Sequence, residues 1–348
     1  MKKYYRITAK LLSPLIIQQK RQSAAPQTLA YLPGSTLRGA VAASYLRTGK
    51  KPEDKVFRNL FLEQPVHFPN LLPGPFGDTF SQILPTTVIS CKREPGFNKH
   101  GVFDTLAVTT ASRIENNPPD KALWKCSHHY CGKICGEDMK PFSGFWNGNP
   151  VSPDKFEPNV ISHRSTGIDR TTGTIAASMF FMTQAIAEFY KSSEQYEANY
   201  YPQYLSGGMY LNEEQLNLLK PLVEDSIFAG ADRTRGFGEL AVSLQEVNEN
   251  EHPQERIHNI ENWSNSFKKK LKILTGKDQA PGIYFSIKLE SHAILTDRFL
   301  RPVSEIEELI ADNIVPVVKI ANAENIRGWQ SSWGLARPDE TGISMGSV

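Results

Sequence analysis

Three cysteines, Cys126, Cys131 and Cys135, fall within ten residues in KCSHHYCGKICGE, and the chain's fourth cysteine, Cys91, follows the strand-like run TTVIS at 86–90. All four lie in a stretch, about 50–160, that is rich in Pro, Gly, Asn and Lys and shows little apolar periodicity. A loop-rich segment of that length lacks a core of its own, so something other than apolar burial has to hold it. The N-terminus, MKKYYRITAKLL, alternates basic and apolar residues and has no long apolar core, so it is not a secretory signal. No run approaches the roughly 20 apolar residues of a membrane span. A cytoplasmic location is expected, and cysteines kept reduced there are poor candidates for disulfides. Zinc accounts for them better, since four thiolates from two loops make a tetrahedral site with no open position, hence a structural one. The spacing C-x4-C-x3-C is looser than the usual C-x2-C hook. His128 and His129 could replace Cys91 as the fourth ligand, and a cluster of free buried thiols is the alternative.

Outside that stretch the patterning is regular. Tyr5, Ile7, Ala9 and Leu11 alternate with Arg6, Thr8 and Lys10, the period of a half-buried strand. Ser13-Pro14 breaks it and Leu15-Ile16-Ile17 resumes an extended run; the polar residues 18–31 read as a loop. In LPGSTLRGAVAASYLR at 32–47, Pro33-Gly34 turns the chain and Ser35 is placed to cap a helix with Leu37, Ala40, Val41 and Tyr45 on one face. The apolar run 174–191 predicts a core strand and NEEQLNLLKPLVE at 212–224 a helix. IFAGADRTRGFGELAVSL then reads as strand, glycine-rich loop and strand. Residues 246–280, highly charged, are expected to be a linker. GIYFSIKLESHAIL at 282–295 alternates like the N-terminal strand and suggests a second, related domain.

Net charge is only +2, but residues 1–60 hold twelve Lys/Arg against two acids, Glu53 and Asp54. Such a basic segment is the footprint of a polyanion partner, unless acids elsewhere in the fold offset it. In GADRTRGFGEL, Gly230, Gly236 and Gly238 would let backbone N–H groups face phosphates while Arg233 and Arg235 add paired contacts; a tight hairpin with solvated charges is the alternative. The order of elements is neither a dinucleotide fingerprint nor a phosphate-binding loop of the G-x-x-x-x-G-K-[ST] kind. HRSTGIDRTTGT, with Arg164, Gly167 and Arg170 among hydroxyls, suits a sugar–phosphate backbone or a polar hairpin. Arg38 sits one turn into the helix opened by Gly34 and Ser35, where free amides favour an anion. In NIRGWQSSWGLARP, Trp329 and Trp333 between Arg327 and Arg337 could stack bases or belong to a core.

Taken in order, the opening strand ending in LLSPL, the LPGSTLRGA turn and helix, IDRTTGTIA and GADRTRGFGEL resemble the RAMP superfamily of CRISPR-associated proteins. SCKREPGF…HGVFDTL with the cysteine cluster, and GWQSSWGLARPDETGISMGSV, resemble more narrowly its type III-D branch, related to the subunits that cap the 5′ tag of the guide RNA. The resemblance implies an α+β chain of two ferredoxin-like (RNA-recognition-like) β-α-β-β-α-β domains. The first would span 1–245 with a zinc-stapled insertion at about 50–160, and the second 281–348 beyond the linker. The sequence stops at Ser344–Val348 inside a strand pattern that the family would continue. Implied too is a non-catalytic guide-RNA-binding subunit in antiviral defence, assembled with backbone subunits and a large signalling subunit. Its RNA contacts would come from Gly34, Ser35, Arg38, Arg164, Arg170, Gly230, Arg233, Arg235, Gly236 and Gly238, and its zinc ligands would be Cys91, Cys126, Cys131 and Cys135. Two other functions stay open. One is a metal-independent endoribonuclease cutting precursor guide RNA, with His163 as base and Tyr31 or Lys20 as partner. The other is a protein scaffold that never touches RNA.

Overall fold

The alternating run at the N-terminus becomes the strand on which the first half of the structure is built. The computed structural model describes residues 2–18, 27–74, 80–130, 133–149, 151–191, 199–247, 253–278, 281–303, 314–330 and 334–348. It divides into two compact units, the first made of Met1–Gln82, Phe156–Asn248 and Arg327–Pro338, the second of Ile83–Lys155, Glu249–Ile326 and Asp339–Val348. In chain order the elements that matter are β1 (Lys3–Leu11), α1 (Gly34–Arg47), β2 (Leu72–Gly74), β3 (Val88–Cys91), β4 (Val102–Asp104), α2 (Leu106–Glu115) and β5 (Met139–Pro141). They continue with β6 (Val160–Ile168), β7 (Ile175–Ile186), β8 (Tyr204–Leu211), α3 (Glu213–Val223), β9 (Ile227–Phe228), β10 (Glu239–Glu246) and α4 (Pro253–Thr275).

In the first unit β1 lies between two antiparallel partners, β8 in the register Lys3↔Leu211 to Lys10↔Tyr204 and β10 in the register Tyr5↔Glu246 to Leu11↔Leu240. The sheet order is β9-β10-β1-β8-β2. Leaving aside the short β9, the chain runs β-α-β-β-α-β and the four strands lie in the order fourth, first, third, second, the connectivity expected of one ferredoxin-like copy. Tyr5, Ile7, Ala9 and Leu11 form a single core with Leu37, Ala40, Val41 and Tyr45 of α1 and Leu219, Leu222 and Val223 of α3. Each large side chain removed from water there contributes about 1.5–3 kcal/mol.

The helix starts differ in how they are satisfied. Pro33, not Ser35, is the N-cap of α1, and no side chain caps it from that position. Ser35 is exposed in the first turn instead. The reason is that Asn70 reaches in from the segment before β2, its Oδ1 accepting the Gly34 N–H at 2.9 Å. A Cβ at position 34 would run into the Phe68 carbonyl oxygen, so this crossing requires glycine. In α3 the sequence signature does hold: Asn212 Oδ1 accepts from the Gln215 N–H at 2.7 Å and Gln215 Oε1 accepts from the Asn212 N–H at 3.2 Å. Asn212→Ala is expected to cost about 1 kcal/mol, visible as a lower urea midpoint with far-UV helicity otherwise retained.

The second unit holds a small sheet in the order β4-β3-β5, its central strand buried at all four residues. The segment expected to be a linker, 246–280, carries α4, a 23-residue helix. Its Phe267 and Leu271 cluster with Ala111 of α2. Apolar residues four apart on a lysine-rich helix make a narrow buried stripe, which a count of charges hides. The strand expected at 282–295 is also largely absent: among the described residues only Leu295–Thr296 is strand, paired with Pro302–Val303. The Tyr284 N–H donates to Ser264 Oγ on α4 at 2.9 Å, and the Tyr284 ring lies 5.9 Å from that of Phe267. The backbone of this segment is thus shared, Tyr284 turning to the helix while Leu289 and Ala293 exchange backbone hydrogen bonds with residues 343–347. Among the described residues this unit contains two- and three-stranded pieces, not a second β-α-β-β-α-β sheet. No helix among them is long and apolar enough to cross a membrane. Most of the loop expected at 18–31 lies outside the described residues.

Candidate metal centre and nucleic-acid-facing loops

Cys91 ends β3, the buried central strand of the second unit's sheet, where it pairs with Met139 of β5. Two other cysteines come from a tight excursion of the chain at 125–138. There the Cys126 N–H donates to the Glu137 carbonyl at 2.8 Å, the Cys135 N–H to that of His128 at 2.8 Å and the Gly136 N–H to that of Cys126 at 3.0 Å. Lys125 closes its base on Asp138 at 2.7 Å. These bonds turn Cys126 and Cys135 toward Cys91. Together with His100 their ligand atoms all lie within 4.8 Å of one another. The Cys91 and Cys135 sulfurs are 3.8 Å apart and the Cys126 sulfur is 3.5 Å from His100 Nδ1. Two thiolates each about 2.3 Å from one tetrahedral zinc would stand about 3.8 Å apart, so the spacing suits such an ion.

The protonation balance supports a cation too. Burial pushes the Cys126 thiol up to about 11, helped by its sulfur neighbours. Burial opposes ionisation of Cys91 as well, but backbone N–H groups of Glu94 and Arg93 and the adjacent thiols outweigh it and bring Cys91 below the usual thiol range. Ionisation is therefore easier at Cys91 than at Cys126, where it is resisted. A divalent cation removes that resistance, because a coordinating thiol is deprotonated outright.

His100 is the candidate ligand that the sequence did not single out, only His128 and His129, between Cys126 and Cys131, having stood as alternatives. The signal was present as a histidine nine residues after Cys91 in a turn-rich loop. His128, proposed as an alternative ligand, instead stacks on His100 with ring centroids 4.2 Å apart. Cys131 lies outside the described residues.

The glycine loop belongs to the first unit. It is clamped to the chain just after β1: the Ala231 N–H donates to the Ile16 carbonyl and the Gly238 N–H to that of Pro14, each at 2.9 Å. Gly230 and Gly238 both have φ near +80°, and a Cβ on either would run into a carbonyl oxygen, of Ile16 and Ala229 respectively. These two glycines serve the loop's own close packing. Gly236 differs: its φ is +87° and a Cβ there would meet nothing within 4 Å, so its backbone stays open to approach. Between them Asp232 adopts φ +55°, Arg233–Arg235 forms a 3-10 turn, and both arginines are exposed. Arg235 lies 3.8 Å from the Asp232 carboxylate.

Residues 160–186 form a long hairpin of β6 and β7, in register from Val160↔Ile186 to Ile168↔Ile175. Its tip is closed by Asp169, whose Oδ1 accepts from the N–H groups of Thr171 and Thr172 at 2.7 and 3.3 Å. Those donors hold the Asp169 carboxyl below its usual range. Arg170 is exposed at the tip and Arg164 on β6. At the base, His163 meets the Phe237 ring edge-on, centroids 5.5 Å apart. Phe237, Ile16 and Ala185 form a small core with Ile161 and Ala231 packed against it. This cluster ties the hairpin to the glycine loop, so two of the arginine segments singled out in the sequence are neighbours in the fold.

Other candidates are placed elsewhere. Arg38 is exposed, but its Nη2 donates to the Phe61 carbonyl at 2.7 Å. Tyr31 is buried in the first unit, while Lys20 and Trp333 lie outside the described residues. Trp329–Gln330 pairs with Leu335–Ala336, and the Arg337 N–H donates to the Gly328 carbonyl at 2.9 Å.

Comparison with known proteins adds the following. The family model described as RAMPs, the RAMP superfamily, matches residues 8–241. Among curated proteins no sequence match is found. Similar solved structures include the Type III-B Cmr-beta bound to cognate target RNA and AMPPnP, state 1, with 13% identity, TM-score 0.41, and coverage of 98% of this chain and 84% of the other. The Type III-B Cmr-beta bound to cognate target RNA gives 12% identity, TM-score 0.40 and coverage of 98% and 85%. The apo state of Type III-B Cmr-beta gives 11%, 0.34, and coverage of 71% and 98%.

Proposed function

The chain belongs to the RAMP superfamily, and from that footing we propose that it is a non-catalytic guide-RNA-binding subunit of a type III CRISPR effector complex. In the finer reading it is of the III-D branch, holds the 5′ tag end of the guide, and assembles with backbone subunits and a large signalling subunit. The observation that carries the reading is the glycine loop. Its fold is completed by Gly230 and Gly238, while Gly236 leaves open backbone beside two exposed arginines, Arg233 and Arg235. Such a surface offers guanidinium donors to successive phosphates, beside open space at Gly236, whose own N–H is used within the turn on the Arg233 carbonyl. Arg164 and Arg170 on the adjoining hairpin extend it. One structural zinc, held by Cys91, His100, Cys126 and Cys135, is part of the same reading and keeps the second unit in shape. His163 meets Phe237 edge-on and Tyr31, its expected partner, is buried, which favours the non-catalytic role over the endoribonuclease.

The test begins with the protein purified alongside its native partners, and with sequencing of the nucleic acid it carries. Short RNAs sharing one repeat-derived 5′ end are expected. Converting both Arg233 and Arg235 to Ala should weaken guide-RNA binding about a hundredfold, taking about 1.5 kcal/mol per charge-assisted contact. The same change should reduce the slope of log affinity against log salt by about 1.4, since each lost phosphate contact on a single strand removes about 0.7. Unchanged affinity and slope would remove the glycine loop from the RNA site, and absence of such RNAs with partner proteins still bound would give the role to a protein scaffold. Cleavage of repeat RNA without metal that stops in His163→Ala would make it the nuclease.

A further inference from the structure

The first unit has a second place built for a flat ligand, at the other end of β1 from the glycine loop. The nine residues of β1 span about 26 Å at roughly 3.3 Å per residue, so the two places are independent. Tyr4 stands directly opposite Tyr210 on β8, with ring centroids 4.9 Å apart. Phe80 lies 5.9 Å from Tyr4, and the Arg6 guanidinium sits 5.3 Å over the Phe80 ring. The two consecutive glycines of β8 make this arrangement possible. At Gly208 a Cβ would collide with the Tyr4 ring, so that ring lies flat across the strand. At Gly207 a Cβ would come within 2.6 Å of the Asn70 carbonyl oxygen, so the segment before β2 runs close alongside. Beside Gly208 is a cavity of about 350 Å³ lined also by Lys2, His67, Phe68, Pro69, Met209 and Tyr210.

The lining has two parts. Phe68, Pro69 and the half-exposed Tyr210 make flat apolar walls, while Lys2 and His67 supply N–H donors and no lining residue is a carboxylate. The volume is at the small end of ligand pockets, which start at about 300 Å³. A flat apolar group attached to an anion matches that lining. We propose that this cavity takes one nucleotide of single-stranded RNA, its base against the rings of Tyr210 and Phe68 and its phosphate toward Lys2 and His67. Recognition of this kind tolerates any base, because each has a π face. The inference rests on the RNA-binding reading and adds to it a second contact point on the same strand.

The experiment uses the full chain and a fluorescein-labelled oligouridine, with free UMP as competitor. Tyr210→Ala is expected to weaken oligouridine binding about tenfold, in the range of a single stacked base, and Tyr210→Phe to keep wild-type affinity. Combined with the Arg233/Arg235 double variant, the loss should multiply, since distant sites act additively in free energy. In the unaltered chain, an oligonucleotide carrying 4-thiouridine should photo-cross-link at Tyr210 or Phe68, a readout that does not depend on any variant folding. Normal affinity in Tyr210→Ala with no cross-link there overturns the inference, while weakened binding in the arginine variant leaves the RNA reading standing. Tyr210-dependent binding of UMP alone, with no competition from oligouridine, overturns it in favour of a mononucleotide. A wild-type chain that binds no RNA removes both readings.

Discussion

Cys126→Ser should strip the protein of about one equivalent of zinc and leave residues 83–155 open to proteolysis, with much of the chain becoming insoluble. Cys126 is almost fully buried, its backbone is tied on both sides to the 125–138 excursion, and its sulfur lies 3.5 Å from His100 Nδ1. Without an ion, burial holds it as a thiol, with its ionisation moved up to about 11. Coordination converts it to a thiolate and joins β3, the His100 loop and the excursion at one point. Structural zinc sites contribute about 10–16 kcal/mol of apparent binding energy in small domains that are unfolded without metal. A larger unit with its own sheet depends on it less, but losing even half of that, about 5–8 kcal/mol, matches the lower part of the roughly 5–15 kcal/mol margin of a typical domain. The measurement is metal content by plasma mass spectrometry beside limited proteolysis. Full zinc retention in Cys126→Ser, with wild-type digestion, would reduce the cluster to ordinary buried thiols. The same assay assigns the fourth ligand: His100→Ala should lose the metal and Cys131→Ser keep it, and the reverse would restore the four-cysteine set.

Gly238→Ala carries the second large effect. Its φ of +80° already disfavours a side chain, by about 1–2 kcal/mol for an L-residue in the left-handed region. The added Cβ would also meet the Ala229 carbonyl oxygen, which accepts no displacement cheaply because Ala229 and Gly238 are themselves hydrogen bonded. Together these are expected to cost more than about 3 kcal/mol, the range of changes that break a special backbone position. Gly236→Ala is the contrast. Its φ is similar but its surroundings are open, so a stability loss of only about 1–2 kcal/mol is expected. Its larger effect should fall on RNA affinity, since the new methyl occupies the open space beside Arg233 and Arg235. Thermal melts and RNA titrations of the two variants separate the roles. Equal destabilisation by both would erase the distinction between a packing glycine and a contact glycine.

What was legible from the residues alone is local. The alternation of Tyr5 to Leu11 marks the central strand, the Asn212–Gln215 pair marks the start of α3, and the density of cysteines marks a candidate metal centre. Each of these is written within about a dozen residues, over which periodicity and ligand spacing are set by bond geometry. The order of segments was enough to indicate the superfamily. The remainder depends on how distant segments meet. His100 joins Cys126 because a loop folds back over 26 residues. The glycine loop and the 160–186 hairpin become neighbours because Phe237 and Ala185 share a cluster. The Tyr4–Tyr210 pair exists because β1 and β8 align across some 200 residues of chain. The apolar stripe of α4 was masked by its lysines, and 282–295 alternates as a strand does, yet its backbone is shared between α4, through Tyr284, and residues 343–347, through Leu289 and Ala293. Periodicity states which face of a segment wants burial; the partner that buries it, or supplies the missing ligand, is chosen by the path of the chain in space.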